Sequence, residues 1–140
     1  DGNILINFGP DGQGEIPQEA QARARELGKW LKENAEAVYG TRGGPLEPVD
    51  KVYGTTYNGD HIYLHIQDRN AFAGSVLPLT GYRVLTAECS GTPVEFTQND
   101  EGVIITLPQS LPEAADTIVK IRVDHPMEEQ TDAKIYFTGK

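Results

Sequence analysis

The chain has 140 residues, enough for one ordinary domain or for a small domain carrying part of another, and too few for a complete barrel enzyme. Hydrophobic residues at 38%, charged residues at 24% and a generous supply of turn formers (Gly 15, Pro 9) describe a turn-rich chain with a packed core, not a disordered one. A formal net charge of -9 repels phosphate and anionic lipid, so neither nucleic acid nor a membrane is an expected partner, and no apolar run approaches the roughly 20 residues that span a bilayer.

Ile4-Leu5-Ile6 is a continuous apolar run entering Gly9-Pro10-Asp11-Gly12 through Asn7 and Phe8, the pattern of a strand buried on both faces before a turn. Such a strand needs neighbours on both sides. Ile16-Pro17 followed by Glu19 reads as a helix start. Ala20, Ala24, Leu27, Leu31 and Val38 recur at helical spacing while Arg23, Arg25, Lys29 and Glu33 fall elsewhere on the wheel, predicting an amphipathic helix with one buried face that stops near Gly40. A lone strand-helix unit cannot bury both faces of its strand, so a larger α/β domain is expected upstream. The start at Asp1, with Met127 the sole methionine, fits a chain lacking its upstream part.

Residues 41 to 48, with Gly43-Gly44-Pro45 and Pro48, form the boundary, and the pattern changes period there. Tyr57-Asn58-Gly59-Asp60 is a hairpin signal, followed by Ile62, Leu64 and Ile66 alternating with His61, Tyr63 and His65. Further strands are predicted at Tyr82 to Ala87, Val94 to Gln98, Val103 to Leu107 and Ile118 to Val123, with Ile62, Leu64, Ile66, Val119, Ile121 and Val123 directed inward. The fold class is therefore mainly β: an antiparallel β-sandwich over residues 45–140, preceded by a strand, turn and helix over 1–44. The polar tail from Asp124 leads to Ala133 to Thr138, a candidate for one further edge strand.

Several residues invite a chemical reading. Gly9, Gly12 and Gly14 between strand and helix suggest a phosphate loop, but the spacing is wrong and Asp11 and Glu15 would repel the anion; turn geometry is the better account. His61 and His65 share a strand face, yet four residues along a strand span roughly 13 Å, too far to ligate one ion directly. They are expected, with Tyr63, on a solvent-facing or domain-facing surface. No nucleophile elbow of the G-x-S-x-G type accompanies them. The lone Cys89 excludes an internal disulfide and reads as a buried structural thiol, and Trp30 beside Leu31 reads as packing.

The stretch from Asp1-Gly2-Asn3-Ile4-Leu5-Ile6-Asn7-Phe8-Gly9-Pro10-Asp11-Gly12 through Gly14 and Ile16-Pro17 resembles the end of the catalytic domain of α-L-fucosidases, as does Gly28-Lys29-Trp30-Leu31 continuing through Asn34 and Glu36-Ala37-Val38-Tyr39-Gly40-Thr41-Arg42. Ile62-Tyr63-Leu64-His65-Ile66 is similar to the family's C-terminal β-sandwich. An aromatic often follows the acid after that strand in the family, whereas here Asp68 is followed by Arg69-Asn70.

The resemblance implies the end of a (β/α) barrel over residues 1–44, in a retaining enzyme that removes terminal α-L-fucose with an aspartate nucleophile and a glutamate acid/base. Both would lie upstream, so no residue here is expected to be catalytic. No cofactor or metal is expected. Asn7 and Phe8, near the C-terminal end of a barrel strand, are the candidate substrate-binding residues. The implied partners are the missing upstream barrel domain and, through the parent enzyme, a fucosylated glycan; besides an upstream chain, self-association through Gly2 to Phe8 or folding back on the sandwich would cover that strand. An extracytoplasmic location follows from where fucosylated glycans occur. The alternative is a carbohydrate-binding sandwich without hydrolytic activity, using Tyr53, Tyr57, Tyr63 or Tyr82, and the third reading is a structural domain that stiffens the barrel.

Overall fold

The computed structural model describes residues 4–112 and 114–128. Two compact units divide the chain, Asp1–Tyr39 and Gly40–Lys140. Residues 41–44 travel with the second unit, where Arg42 and Gly43 pair with Tyr57 and Thr56.

In the first unit, residues 4–10 form no strand. The apolar run predicts one, but a strand exists only against a partner, and no described segment pairs with it. Helix α1 (Gln18–Glu33) begins after Pro17 and is followed by the short α2 (Ala35–Val38). Sequence periodicity runs straight through this break. Asn34 causes it, because its backbone N–H and its side-chain Nδ2 both donate to the Trp30 carbonyl, at 3.0 and 2.9 Å. Ala20, Ala24, Leu27, Trp30 and Leu31 line one face, but that stripe is only half covered and α1 has no buried residue. The opposite face carries the exposed pairs Arg23–Glu26 and Lys29–Glu33.

The second unit is an antiparallel β-sandwich. A six-stranded sheet runs in the order β1 (Arg42–Gly43), β2 (Tyr53–Asn58), β3 (His61–Ile66), β8 (Thr117–Val123), β4 (Val84–Cys89), β5 (Thr92–Pro93). The hairpin of β6 (Glu95–Asn99) and β7 (Gly102–Thr106) forms the second layer, extended by a bridge from Leu77 to Val103. A one-turn helix, α3 (Arg69–Phe72), connects β3 to the loop before β4. Both edges of the large sheet are two-residue strands, and one of them contains Pro93, which shortens the row of unpaired backbone groups open to another chain.

Register follows the alternation of apolar residues. Tyr57, Ile62 and Ile121 lie side by side across three strands, as do Thr55, Leu64 and Val119, and Tyr53, Ile66 and Thr117. All six expected inward residues of β3 and β8 are buried in one cluster with Phe72, Leu77, Val103 and Ile105. The β2–β3 hairpin is closed by Gly59, at φ 58°, and Asp60; β4–β5 is closed by Ser90 and Gly91, both at positive φ. Between Val84 and Thr86 the pairing with β8 shifts register, and the extra residue, Leu85, is exposed although its type predicts burial. Gln98 ties the layers together: its Oε1 accepts from Val84 N at 3.0 Å and its Nε2 donates to Tyr82 O at 2.7 Å. The candidate edge strand Ala133 to Thr138 lies outside the described residues.

Candidate functional site

The turn ahead of α1 answers the phosphate-loop question directly. Asp11 Oδ1 accepts from the N–H groups of Gln13 and Glu15, both at 2.9 Å, while Gly14 takes φ 85° and donates to Asp11 O. The donors that would cradle an anion already hold the protein's own carboxylate. Asn7 lies just before this turn, exposed and without a hydrogen bond among the described residues, and Phe8 beside it is half-buried.

On the sheet, the face opposite the core carries the polar chemistry. His65 Nδ1 lies 2.8 Å from Asp116 Oδ2, and its Nε2 lies 3.3 Å from Thr56 Oγ1. The result is a hydroxyl, imidazole and carboxylate in line, drawn from β2, β3 and the loop before β8. The order resembles a nucleophile triad, but Thr56 sits in the middle of a strand paired on both sides. Its neighbouring backbone groups are committed to the ladders, which leaves no oxyanion donors beside the hydroxyl. Asp116 Oδ1 is buried and has no partner among the described residues.

At the start of β3, His61 Nδ1 lies 2.7 Å from Asp60 Oδ1, while Asp60 Oδ2 accepts from Arg122 Nε at 3.1 Å. The Arg122 hydrogen bond holds the Asp60 carboxyl below its usual range, with His61 adding to the effect. The two histidines are thus held by different carboxylates, in keeping with their spacing. Tyr63 between them is 5% exposed, so it does not face solvent. The third histidine, His125, lies 2.9 Å from Asp124 Oδ1 and stacks on Tyr82, with ring centroids 4.5 Å apart. Asp124 also accepts from Arg83 N, the main cause of its lowered pKa. All three histidines of the chain therefore rest on an aspartate. Only the Asp60–His61 and Asp124–His125 pairs are visible as sequence neighbours. Among the described residues, no group of three or more His, Cys, Asp or Glu side chains can hold a metal ion.

The residue that sequence reasoning passed over is Arg69. Asp68 caps α3 by accepting from Asn70 N and Ala71 N, which fixes the helix that carries Arg69. The guanidinium donates through Nε to Thr117 Oγ1 at 2.8 Å, and through its other nitrogens to the carbonyls of Leu111 and Pro112. Three acceptors around one planar cation make this a structural pin between α3 and the start of β8. Cys89 is buried, as expected, and desolvation pushes its thiol pKa up.

The tyrosines considered for sugar binding are engaged within the sandwich unit. Tyr57 and Tyr63 are buried, and Tyr53 meets Phe72 edge-on at 5.8 Å. Burial is also the main cause of the raised pKa of the Tyr53 hydroxyl.

Comparison with known proteins gives a consistent answer. The family model described as Alpha-L-fucosidase matches residues 1–36. Tissue alpha-L-fucosidase of Rattus norvegicus is 32% identical over 117 residues, covering 79% of this chain and 25% of the relative. Alpha-L-fucosidase of Dictyostelium discoideum is 28% identical over 113 residues, covering 76% of this chain and 23% of the relative. Among solved structures, alpha-L-fucosidase isoenzyme 1 from Paenibacillus thiaminolyticus superposes with a TM-score of 0.72 at 26% identity, over 87% of this chain and 31% of that one. The chain thus spans about a quarter of the length of these curated relatives. The signature residues of the first unit and the sandwich of the second align this chain with the C-terminal part of α-L-fucosidases.

Proposed function

We propose that the protein to which this chain belongs is a retaining exo-α-L-fucosidase acting on terminal α-L-fucose of glycans met outside the cytoplasm, and that this chain is its structural C-terminal module. The observation that supports this most is the order of the matches: the family signature falls on residues 1–36, and the fold likeness continues through the sandwich. A retaining glycosidase works with two carboxyl groups about 5 Å apart across the anomeric carbon. The aspartates of this chain that hold histidines, Asp60, Asp116 and Asp124, serve the sheet and its loops. On the family resemblance, nucleophile and acid/base are assigned to the part of the relatives that this chain does not span, and neither role to a residue here.

Asn7 and Phe8 are the residues of this chain assigned to the fucose pocket, Asn7 donating or accepting at a sugar hydroxyl and Phe8 offering its ring to the apolar sugar face. Following the reaction of the intact protein with an aryl α-L-fucoside by proton NMR tests the reading, with α-L-fucose appearing before the β anomer. Initial release of β-L-fucose would contradict retention, and no release would contradict the activity. Asn7→Ala is expected to lower kcat/KM by about tenfold, equivalent to roughly 1.4 kcal/mol, without moving the thermal transition of the protein.

A further inference from the structure

We infer that Asn58 is a site of self-modification, at which the backbone nitrogen of Gly59 displaces the side-chain amide, and that the isoaspartyl product loosens the turn that anchors β8.

Five asparagines lie among the described residues, at positions 7, 34, 58, 70 and 99. Closing a ring between the side-chain carbon of an asparagine and the next backbone nitrogen needs an approach that a following side chain obstructs, and only Asn58 is followed by glycine. Both Asn58 and Gly59 are exposed, and the Gly59 N–H makes no hydrogen bond among the described residues. Elsewhere the reacting groups are committed. Asn34 Nδ2 donates to Trp30 O at 2.9 Å, Asn99 Oδ1 accepts from the N–H groups of Glu101 and Gly102, and the nitrogen after Asn70 donates to Asp68 Oδ1. Asn7 is followed by the bulky Phe8.

The chemistry balances with water as the only co-reactant. Gly59 N gives up its proton and bonds to Asn58 Cγ, the Cγ–Nδ2 bond breaks, and ammonia leaves with that proton, closing a succinimide. Water then opens the ring: attack at Cγ yields aspartate in the ordinary chain, and attack at the backbone carbon yields isoaspartate, with the chain running through Cβ and Cγ. Because nucleophile and electrophile are neighbours in one chain, the closure needs no bimolecular encounter. Isoaspartate puts an extra carbon into the backbone of a tight turn that fixes the register of β2 against β3. The same turn holds the chain at and after the end of β8, because Asp60 O accepts from Val123 N and Gly59 O from Met127 N, both at 2.9 Å.

The test incubates the folded 140-residue chain in mildly alkaline buffer and maps its peptides by mass spectrometry, with chromatography separating aspartyl from isoaspartyl products. Asn58 should convert at least about tenfold faster than any other described asparagine. Asn58→Gln, which would have to close a larger ring, should end conversion at this turn while leaving the unfolding transition in place. Amides of Val123 and Met127 should exchange faster in the isoaspartyl fraction than in the unmodified chain. Earlier conversion of another asparagine overturns the inference. So does an Asn58 that converts in urea but not in the folded chain, since the closed turn would then hold its side chain away from Gly59. Unchanged exchange of Val123 and Met127 in the isoaspartyl fraction overturns the structural half of the inference.

Discussion

At Gly102 the backbone adopts φ 146°, and a Cβ built there would collide with the carbonyl oxygen of Leu77 and lie 2.9 Å from its carbon. That carbonyl accepts from Val103 N at 2.9 Å, the bond that extends the second layer of the sandwich. Gly102→Ala is therefore expected to destabilise the domain by about 3 kcal/mol, combining backbone strain with a displaced ladder bond. Gly81 also has positive φ, 83°, but open space around it, so Gly81→Ala should cost only about 1 kcal/mol. Urea unfolding of the two variants checks the contrast, and equal losses would show that contact with Leu77 is unimportant. Neither value can be read from the residue string, where both glycines simply mark turns.

Asp60 carries a pH dependence of definite sign. Its folded pKa is lowered, chiefly by Arg122, so the stabilisation is present above the unfolded aspartate value of about 3.9 and is lost as pH falls through the folded value. Arg122→Gln should remove a small stabilisation at neutral pH, small because the pair is exposed and water screens it, and leave stability at the acid end unchanged, so that the profile flattens on its acid side. Chemical denaturation between pH 2.5 and 7, values chosen to straddle roughly that range, checks this. An equal loss at every pH would assign Arg122 a packing role instead.

At the scale of elements, Arg69 joins α3 to the loop that enters β8. Removing it leaves Thr117, a buried residue, and two carbonyls without their charged donor. Arg69→Ala is expected to cost about 2 to 3 kcal/mol and to speed amide exchange around residues 108–116; Arg69→Lys should not restore stability, because one ammonium cannot reach three acceptors in a plane. Full rescue by lysine would mean that charge alone suffices. The interior strands were legible because strict alternation in β3 and β8 leaves only one register that buries Ile62, Leu64, Ile66, Val119, Ile121 and Val123. The short elements were not. β1, β5 and α3 are held by pairing, by a cap and by Arg69, none of which depends on periodicity. The His65–Asp116 contact joins residues 51 apart and leaves no mark on either neighbourhood. The helix stripe was legible as a pattern, but its burial was not, since burial depends on what lies against it.

At the scale of the whole molecule, the two units differ in self-sufficiency. The sandwich has a continuous buried cluster, whereas α1 has no buried residue and Ile4 and Leu5 are exposed. Fully burying Ile4 and Leu5 would stabilise by about 1.5 to 3 kcal/mol each. The polar groups of this chain meanwhile act locally, as caps, pins and histidine supports. The most direct measurement is turnover of an aryl α-L-fucoside by the 140-residue chain alone, set beside turnover by the intact protein. The intact protein should hydrolyse it and the chain alone should not exceed the uncatalysed background; turnover by the chain alone that disappears when one of its own aspartates or glutamates is replaced would contradict the assignment of both catalytic carboxylates to the rest of the enzyme.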